Sequence, residues 1–352
     1  MKRLLFLALA VLFALCRAFP LQKHKVVLLR RFPRWGSLGL FGDAIERDER
    51  LRGYRIVRIV NWRRLSTVYH LATAGTVLLN DGFRPMAHFP FSRRAKVYQL
   101  WHADGALKRF GRAAGEDSPE ARRWTAAICA SEAMRVPWAE GFGMPLERVL
   151  ALGSPHLDAL VAPCDKQALR AVFDEKYPQC KNKRLILYAP SFRDDDPHNT
   201  KLLAQFDFEK FQRRFGGGSA LLVRLHPKMH GQYTLPDWVI DLTGAPGFAD
   251  LLRVTDYLIT DYASLMSDAA AIGLPMVLYT YDYDEYMAQD RGFYQELRDL
   301  PPGPVVYEFD ALLDVLARPD EGAQQRKAFV KHHLGEIDGQ SCERIIREVF
   351  GK

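Results

Sequence analysis

The sequence predicts an α/β protein built from two doubly wound parallel sheets. Three observations support this fold class. Apolar runs of strand length alternate with helix-like segments, and the alternation begins again after Pro163. The 352 residues are too many for one ordinary core and suit two domains. A composition of 48% hydrophobic and 26% charged residues is that of a globular chain rather than a disordered one.

The first half of the chain contains six strand-like runs separated by helix-like segments. The predicted strands are Val26–Leu29, Tyr54–Val60, Thr76–Leu79, Val97–Trp101, Ala126–Ala130 and Val149–Leu152. The predicted helices are Asp43–Arg52, Leu65–Ala74 and Glu132–Gly141. Because strands joined through helices run parallel, residues 23–160 are expected to form one Rossmann-like domain.

The second half repeats this alternation in residues 161–325. Its predicted strands are Leu185–Ala189, Leu221–Leu225, Trp238–Leu242, Tyr257–Thr260 and Pro275–Tyr279. Its predicted helices are Lys166–Glu175, Phe208–Phe215, Gly247–Val254 and Ser264–Ile272. The hinge is expected between Ser154 and Lys166, where Gly153, Pro155 and Pro163 break regular structure.

An apolar segment, residues 1–22, precedes the first domain. Its unbroken run from Leu4 to Leu15 would span about 18 Å as a helix, against a hydrocarbon core of about 30 Å. Basic residues follow it closely, and such charge tends to stay on the cytoplasmic side; they are Arg17, Lys23, Lys25, Arg30, Arg31 and Arg34. We expect an uncleaved helix on the cytoplasmic face of the membrane. A signal peptide and a helix packed on the protein itself are the alternatives.

The segment from Leu258 to Asp268 predicts a site for a nucleotide phosphate. An apolar strand leads into a polar turn and then a helix of small residues, with Ser264 as the N-cap and Asp268 in the first turn. Free N–H groups at a helix start bind phosphate, and strand ends in an open α/β sheet are where nucleotides bind. An ordinary strand-to-helix turn that binds nothing is the alternative.

Three other predicted strands end in side chains suited to the same chemistry. One ends in His102, a second in Ser191 and Arg193, and a third in Arg224 and His226, closed by a proline. Because Arg224 precedes His226 by two, both side chains should leave one face of the strand. Two histidines beside arginines and a phosphate-type turn favour a functional site over isolated structural hydrogen bonds.

These segments, taken in order, resemble the CDP-glycerol glycerophosphotransferases of teichoic-acid synthesis. Gln99 to Lys108 resembles their "WHG/WHA…K" segment, and Tyr188 to Asp194 resembles "YAPTWRD". Arg224 to Pro227 is similar to "RxHP", and Thr260 to Ser264 to "TDYSS". Pro275 to Tyr286 and Arg291 to Tyr294 follow "PMIFFTYDLDEY…RGFY". The match runs from about Val97 to Val306, and the segment after His102 is more similar to the short priming enzymes than to the long polymerases.

The resemblance implies a GT-B type fold, with two Rossmann-like domains facing across a cleft. The helical tail, residues 326–352, would then cross back to the first domain. The resemblance also implies transfer of glycerol phosphate from CDP-glycerol to a lipid diphosphate-linked disaccharide, with no cofactor and no bound metal. Two residues depart from the pattern: Ala263 stands where the family usually has Ser, and Asp104 where the priming enzymes tend to have Ala.

The roles of individual residues follow from the glycerol-phosphate transfer that the resemblance implies. A histidine near neutral pKa suits removal of the acceptor's proton, so we assign His102 as general base. Charge on the departing CMP phosphate would be stabilised by His226, assigned as the second catalytic residue, together with donor-binding residues. These are Ser191, Arg193, Arg224, Asp261, Tyr262, Ser264 and Asp268. The acceptor-binding residues are Trp101, Asp104 and Lys108.

Several of these residues also have a purely structural explanation. His102 could bond a neighbouring backbone group, Arg224 could pair with a carboxylate, and His226 could cap a loop. Asp268 could reach a ribose hydroxyl or only favour the helix dipole. Asp261 could bond backbone groups of its turn. The acidic and aromatic segment Tyr281–Tyr286 could bind glycerol or pack a domain interface.

The net charge indicates which classes of partner the protein binds, and the cysteines indicate its redox compartment. The net charge of +7 and the pI near 9.1 suggest an anionic membrane surface or a diphosphate lipid. No nucleic-acid module is recognisable in the sequence.

The five cysteines form no C-x-x-C pair, which favours a reducing cytosol. The run Asp194–Asp196 is expected to be a solvated loop or a helix cap rather than a metal site. The alternatives to a CDP-glycerol transferase are a CDP-ribitol or sugar-nucleotide transferase and a non-catalytic, membrane-bound nucleotide-binding protein; the oligomeric state, including a homo-oligomer, stays open.

Overall fold

The computed structural model describes residues 2–30, 36–60, 64–105, 107–193, 202–229, 233–289 and 292–351. The chain divides into two compact units. Unit 1 contains Met1–Ala159 together with His332–Lys352, and unit 2 contains Leu160–Lys331. The border lies inside a helix, Pro155–Val161, although the sequence predicted breakers there. Arg31, Arg34, Asp194–Asp196 and Arg291, singled out above, lie outside the described residues.

Unit 1 contains a parallel six-stranded sheet in the order β2-β1-β3-β4-β5-β6. Its strands are β1 (Gln22–Leu29), β2 (Arg55–Ile59), β3 (Ala74–Leu79), β4 (Lys96–Gln99), β5 (Ala126–Cys129) and β6 (Val149–Ala151). All six residues of β3 are buried, as expected of a central parallel strand covered on both faces. The order of the strands reverses between β1 and β3.

Helices and the C-terminal tail cover this sheet. They are α1 (Lys2–Cys16), α2 (Gly36–Arg47), α3 (Leu65–Ala72), α4 (Arg135–Phe142) and α5 (Pro155–Val161), with α13 (Ser341–Phe350) from the tail. The apolar face of α13, formed by Ile345, Ile346 and Val349, is buried in the same core as Val26 and Leu28 of β1. The tail thus completes the core of unit 1.

Unit 2 contains a second parallel six-stranded sheet in the order β12-β11-β10-β7-β8-β9. Its strands are β7 (Arg184–Tyr188), β8 (Ser219–Val223), β9 (Ile240–Asp241), β10 (Tyr257–Thr260), β11 (Met276–Tyr279) and β12 (Val305–Val306). Counted within the unit, this is the order 3-2-1-4-5-6 of nucleotide-binding sheets, with its reversal between β7 and β10.

The helices of unit 2 follow the predicted alternation. They are α6 (Lys166–Lys176), α7 (Phe208–Phe215), α8 (Phe248–Val254), α9 (Leu265–Ala271), α10 (Tyr283–Gln289), α11 (Phe309–Leu316) and α12 (Ala323–Phe329). A π-helical turn, Val330–Leu334, continues from α12 toward the tail. The α/β class with two parallel sheets is therefore confirmed.

Two details of the sequence prediction are wrong. The second helix begins at Gly36 and ends at Arg47, not at Asp43 and Arg52. Its glycine-rich start obscured the helical pattern, although Gly42 is needed there because a β-carbon would collide with Leu28 of β1. The two-residue strand β12 is too short to leave an alternation signal and was missed.

Helix α1 packs on unit 1 through one face and exposes the other. Phe13 is fully buried and stacks on Phe89, with ring centroids 4.6 Å apart. On the opposite face, exposed aliphatic residues recur at spacings of three and four; they are Leu4, Leu7, Val11 and Leu15. In the part of the chain described, no helix has the length and apolarity needed to cross a membrane.

Candidate functional site

The strand reversal of unit 2 brings together two of the predicted donor segments. β7 and β10 pair directly, and Ser191 follows the first while Asp261 follows the second. The buried Asp261 carboxylate accepts the Ser191 N–H at 2.7 Å and the Ser191 hydroxyl at 2.8 Å. These bonds fix both turns at the edge where nucleotides bind in such sheets.

Arg193 occupies the centre of this arrangement and is 5% exposed. Its Nη1 donates to Asp261 Oδ2 at 2.9 Å, and its Nε donates to Asp282 Oδ2 at 3.0 Å. The guanidinium also lies within cation–π distance of the rings of Tyr262 and Tyr286, 5.1 and 4.7 Å from their centroids. Burial alone would lower the pKa of Arg193, but the two carboxylates raise it. A permanently charged arginine therefore holds two acidic segments together.

Tyr262 lies inside unit 2 rather than on its surface. The side chain is 1% exposed, its hydroxyl donates to Asp282 Oδ1 at 3.1 Å, and its ring stacks on Tyr286 at 3.8 Å. Burial, reinforced by Asp282 and Asp261, raises the pKa of the phenol. The neutral phenol is thus a packing and hydrogen-bonding element of the turn, and the segment Tyr281–Tyr286 packs within unit 2 through Asp282 and Tyr286.

The turn after β10 leads into α9 as the sequence predicts. Ser264 is the N-cap residue and is exposed, but its side chain makes no capping hydrogen bond. Asp268 lies in the first turn of α9 and is half-buried. The helix start therefore presents a hydroxyl to solvent beside the Asp261 turn.

Arg224 and His226 do not share a strand face, contrary to prediction. Strand β8 ends at Val223, so the two-residue alternation no longer applies beyond it. Arg224 is buried, and its Nη1 donates to the carbonyls of Leu242 and Ala245 at 3.0 and 2.8 Å. His226 is exposed beside Phe192, with ring centroids 5.1 Å apart.

In unit 1 the predicted base, His102, lies in the turn after β4. That strand ends at Gln99, and Trp101 adopts a left-handed conformation with φ 58°. The fully buried Gln99 side chain accepts the Trp101 N–H at 2.9 Å and donates to the Asp81 carbonyl at 3.0 Å. One side chain therefore supports the strained backbone beside the histidine.

The ring of His102 is oriented by the turn after β3. Its Nδ1 lies 3.3 Å from the Asn80 carbonyl oxygen and 3.8 Å from Asp81 Oδ1. Since a carbonyl only accepts, Nδ1–H is the donor, and the lone pair of the neutral ring is on Nε2. Burial lowers the pKa of His102, while Asp81 and the Asn80 carbonyl oppose that shift. A neutral imidazole with its lone pair on Nε2 is suited to proton removal.

The three predicted acceptor-binding residues have different surroundings. Trp101 packs edge-on against Phe142, with centroids 5.0 Å apart, and Lys108 is half-buried. Asp104 accepts hydrogen bonds from the Ser154 hydroxyl and from His156 Nδ1, the latter at 2.7 Å. His156 was missed in the sequence analysis. Its position just after β6, in Gly153-Ser154-Pro155-His156, was the signal that could have found it.

Comparison with known proteins identifies the family. A model described as CDP-Glycerol:Poly(glycerophosphate) glycerophosphotransferase matches residues 45–351. The chain belongs to this glycerophosphotransferase family. The resemblance of its motifs is thereby confirmed.

Relatives in this family include both primases and polymerases. The chain is 31% identical to a teichoic acid ribitol-phosphate primase of Bacillus spizizenii, over 79% of this chain and 75% of that protein. It is 30% identical to a teichoic acid glycerol-phosphate primase of the same species, over 81% and 76%. A teichoic acid poly(ribitol-phosphate) polymerase, also of that species, is 30% identical over 81% of this chain and 48% of the polymerase. The chain spans only about half the length of such polymerases.

Solved structures of other proteins share the fold. The wall teichoic acid polymerase TagF superimposes with a TM-score of 0.78 at 20% identity, covering 99% of this chain and 95% of that chain. A UDP-GlcNAc 2-epimerase of Methanocaldococcus jannaschii gives a TM-score of 0.59 at 11% identity, covering 93% and 99%. At these identities, the similarity establishes the fold alone.

Proposed function

We propose that this protein transfers glycerol phosphate from CDP-glycerol to a hydroxyl of a lipid diphosphate-linked disaccharide, and releases CMP. The observation that carries the proposal is the meeting of the Ser191 and Asp261 turns at the strand reversal of unit 2. This edge is where a doubly wound sheet binds nucleotides. Family membership supports the reaction class, and a TagF variant was soaked with CDPG.

In the proposed reaction, Nε2 of His102 takes the proton of the acceptor hydroxyl. The acceptor oxygen forms a bond to the phosphorus nearest the glycerol, and the bond from that phosphorus to the bridging oxygen breaks. CMP leaves with the bridging oxygen and the electron pair. The lowered pKa keeps His102 neutral, and thus able to accept a proton, at neutral pH.

Charge on the departing CMP phosphate is stabilised from unit 2 in this proposal. Among the residues assigned to this task, His226 and Ser264, at the start of α9, are exposed to solvent. Arg224 contributes positive charge from behind the surface, where its Nη1 donates to two loop carbonyls. Arg193 acts by fixing the Asp261 turn, because its charge is balanced by Asp261 and Asp282. Asp268, in the first turn of α9, is proposed to bond a ribose hydroxyl of the donor.

CDP-ribitol is the second candidate donor. Relatives named for ribitol phosphate and for glycerol phosphate are about equally similar to this chain, at 31% and 30% identity. The motifs that this chain shares with the family concern phosphate and cytidine rather than the polyol. Direct competition between the two donors separates the candidates.

We also propose that α1 holds the enzyme on the cytoplasmic face of the membrane. Its outward stripe of aliphatic residues would lie in the interface, because a 15-residue helix of about 22 Å is shorter than the hydrocarbon core. The net charge of +7 favours an anionic lipid surface. Such a position brings the enzyme to a lipid-linked acceptor.

The test is CMP release from purified protein, CDP-glycerol and a soluble-tailed N-acetylmannosaminyl-N-acetylglucosamine diphosphate lipid. We expect acceptor-dependent CMP and a product heavier by one glycerol phosphate. His102→Ala should abolish both, whereas His24→Ala, at an exposed histidine of β1, should leave both unchanged. Turnover with CDP-ribitol but not with CDP-glycerol would identify CDP-ribitol as the donor. A ladder of products with increasing numbers of added units would indicate a polymerase. No release from any cytidine donor would favour a non-catalytic protein.

A further inference from the structure

Four polar side chains form a buried or half-buried cluster in unit 1, and one of them, Asp104, lies two residues after His102. They come from three segments that follow strands β1, β4 and β6. The members are Ser37 in the first turn of α2, Asp104 in the His102 turn, and Ser154 and His156 at the start of α5. We call these four residues the Asp104 cluster.

Asp104 is the acceptor at the centre of this cluster. Its Oδ2 accepts from His156 Nδ1 at 2.7 Å, and its Oδ1 accepts from the Ser154 hydroxyl. The side chains of Asp104 and His156 are only 13% and 34% exposed. Charge-assisted hydrogen bonds with this little solvent are stronger and better oriented than those of exposed pairs.

The serines connect this carboxylate to a helix start. Ser154 Oγ accepts the Leu157 N–H at 3.3 Å, which is the bond of an N-cap, and Pro155 fits the first helical position. Ser37 Oγ accepts the His156 N–H at 3.2 Å and lies 3.2 Å from Ser154 Oγ. The cluster therefore joins α2, α5 and the His102 turn through side chains.

The position of His102 depends on side chains because its turn has no regular structure. Residues 101–105 belong to no helix or strand. Gln99 holds the turn before His102 through Trp101, and Asp104 holds it two residues after His102. Displacing a reacting group by about 1 Å can reduce a rate about 100-fold. Loss of the Gln99 bond or of the Asp104 bond should therefore slow proton removal by His102.

We propose that Asp104 and His156 are positioning residues for the transfer. Their hydrogen bond fixes the turn that carries His102 against the start of α5, so that the imidazole meets the acceptor hydroxyl. The proposal rests on the proposed function of His102 as base. It gives Asp104 a positioning role in place of the acceptor contact predicted from the sequence, and it expects loss of either residue to reduce kcat rather than donor binding.

The experiment compares Asp104→Ala, His156→Ala and the double variant with wild type in the CMP-release assay. Each single variant should lower kcat about tenfold or more, with KM for CDP-glycerol within twofold of wild type. The double variant should be no worse than the poorer single one, because both remove the same interaction. His156→Asn should recover most of kcat, since its amide places a donor where Nδ1 was.

Folding is followed separately, and Asp43→Ala is the matched control. The side chain of Asp43, in unit 1, is 43% exposed and forms an ion pair with Arg58, and its loss should leave kcat unchanged. If Asp104→Ala does not fold, Asp104→Asn takes its place. Wild-type kcat in the single variants, additive losses in the double variant, or equal failure of His156→Asn and His156→Ala would each overturn the proposal. An inactive wild type would instead contradict the proposed function.

Discussion

The amide of Gln99 joins the backbone of Trp101 to the end of the neighbouring strand. It accepts the Trp101 N–H at 2.9 Å and donates to the Asp81 carbonyl at 3.0 Å, while no part of it reaches solvent. The turn of His102 and the turn that orients its ring are thus held by one side chain. A left-handed tryptophan persists only where its surroundings determine it, and Gln99 supplies that constraint.

Replacing Gln99 with Leu should therefore reduce activity strongly. The substitution leaves the Trp101 N–H and the Asp81 carbonyl without this partner, at a cost of about 1–3 kcal/mol for each buried group. We expect kcat to fall on the order of 100-fold as His102 moves. CMP release and chemical denaturation measure the two effects. Gln340→Leu, at an exposed glutamine of unit 1, is the control, and a fully active Gln99→Leu would contradict the argument.

The Asp81 carboxylate should set the lower pH limit of activity. It lies 3.8 Å from His102 Nδ1 and raises the pKa of the imidazole, against the larger opposite effect of burial. Asp81→Asn removes the charge, so the pKa should fall further and the acidic limb of kcat/KM should move to lower pH. Asp117→Asn, at an exposed carboxylate of unit 1, should leave the limb in place. A limb that moves to higher pH would refute the assignment.

Loss of Arg193 should destabilise unit 2 by about 3–5 kcal/mol. Arg193→Met leaves Asp261 and Asp282 uncompensated, with side chains only 2% and 7% exposed. Hydrogen exchange of the β7 and β10 amides would measure the loss within this unit. The matched control is Arg298→Met, because Arg298 also pairs with a carboxylate and lies 4.0 Å from a tyrosine ring centroid, but is 48% exposed. Its removal should cost less than about 1 kcal/mol.

Lys25 should make the stability of unit 1 depend on pH above neutrality. Burial, with the charge of Arg55, lowers the pKa of Lys25 to about 8 from 10.5. Between these two values the unfolded chain binds more protons than the native one, so the free energy of unfolding rises with pH through this group. Below pH 8 Lys25 is protonated in both the native and the unfolded chain. Burial of its charge then lowers the free energy of unfolding most.

The measurement compares urea unfolding of wild type and Lys25→Met at pH 7 and pH 10. We expect the stability of the variant relative to wild type to be greatest at pH 7 and to decline toward pH 10. The hydroxyl of Thr73, which accepts from Lys25 Nζ at 2.6 Å, keeps its bond to the Tyr69 carbonyl in the variant. Lys23→Met, on the exposed start of the same strand, should show a constant difference. A constant difference for Lys25→Met as well would show that its charge is not coupled to folding.

The outward stripe of α1 should govern binding to lipid. Replacing Leu4, Leu7 and Val11 with Ser removes side chains that are 73%, 51% and 61% exposed, without touching the buried Phe13. We expect sedimentation with anionic phospholipid vesicles to fall at least tenfold, because the apolar area available for insertion is lost. The control replaces exposed aliphatic residues elsewhere, Val136, Leu146 and Val172, with Ser. Equal binding by both triple variants would exclude a specific role for α1.

The strands were predictable because buried parallel strands are short apolar runs. Val77 and Leu222, each 0% exposed, lie in two such runs, and the turns that follow these strands are polar. Most strand predictions overlap the observed strands by several residues. The start of α2 was not predictable, since Gly36, Gly39 and Gly42 weaken the helical pattern. The reason for Gly42 is tight packing against Leu28 of the sheet, which a sequence does not reveal.

The surroundings of the candidate site residues were less predictable than their positions in sequence. A strand-end arginine has the same sequence pattern whether it faces a ligand or, as Arg193 does, two buried carboxylates. Arg224 donates hydrogen bonds to backbone carbonyls, which carry no sequence signal at all. His156 pairs with a residue 52 positions away, and only the parallel order of β4, β5 and β6 brings the two together.

The composition of unit 1 from two distant parts of the chain has a consequence for how the protein is made. Ile345, Ile346 and Val349 fill a core begun by residues of β1, more than 300 positions earlier. During synthesis, part of the apolar surface of the first unit therefore stays uncovered until the residues of α13 leave the ribosome. Unit 2 is continuous from Leu160 to Lys331 and is complete before then. The emergence of α13 is thus the event that permits the first unit to close.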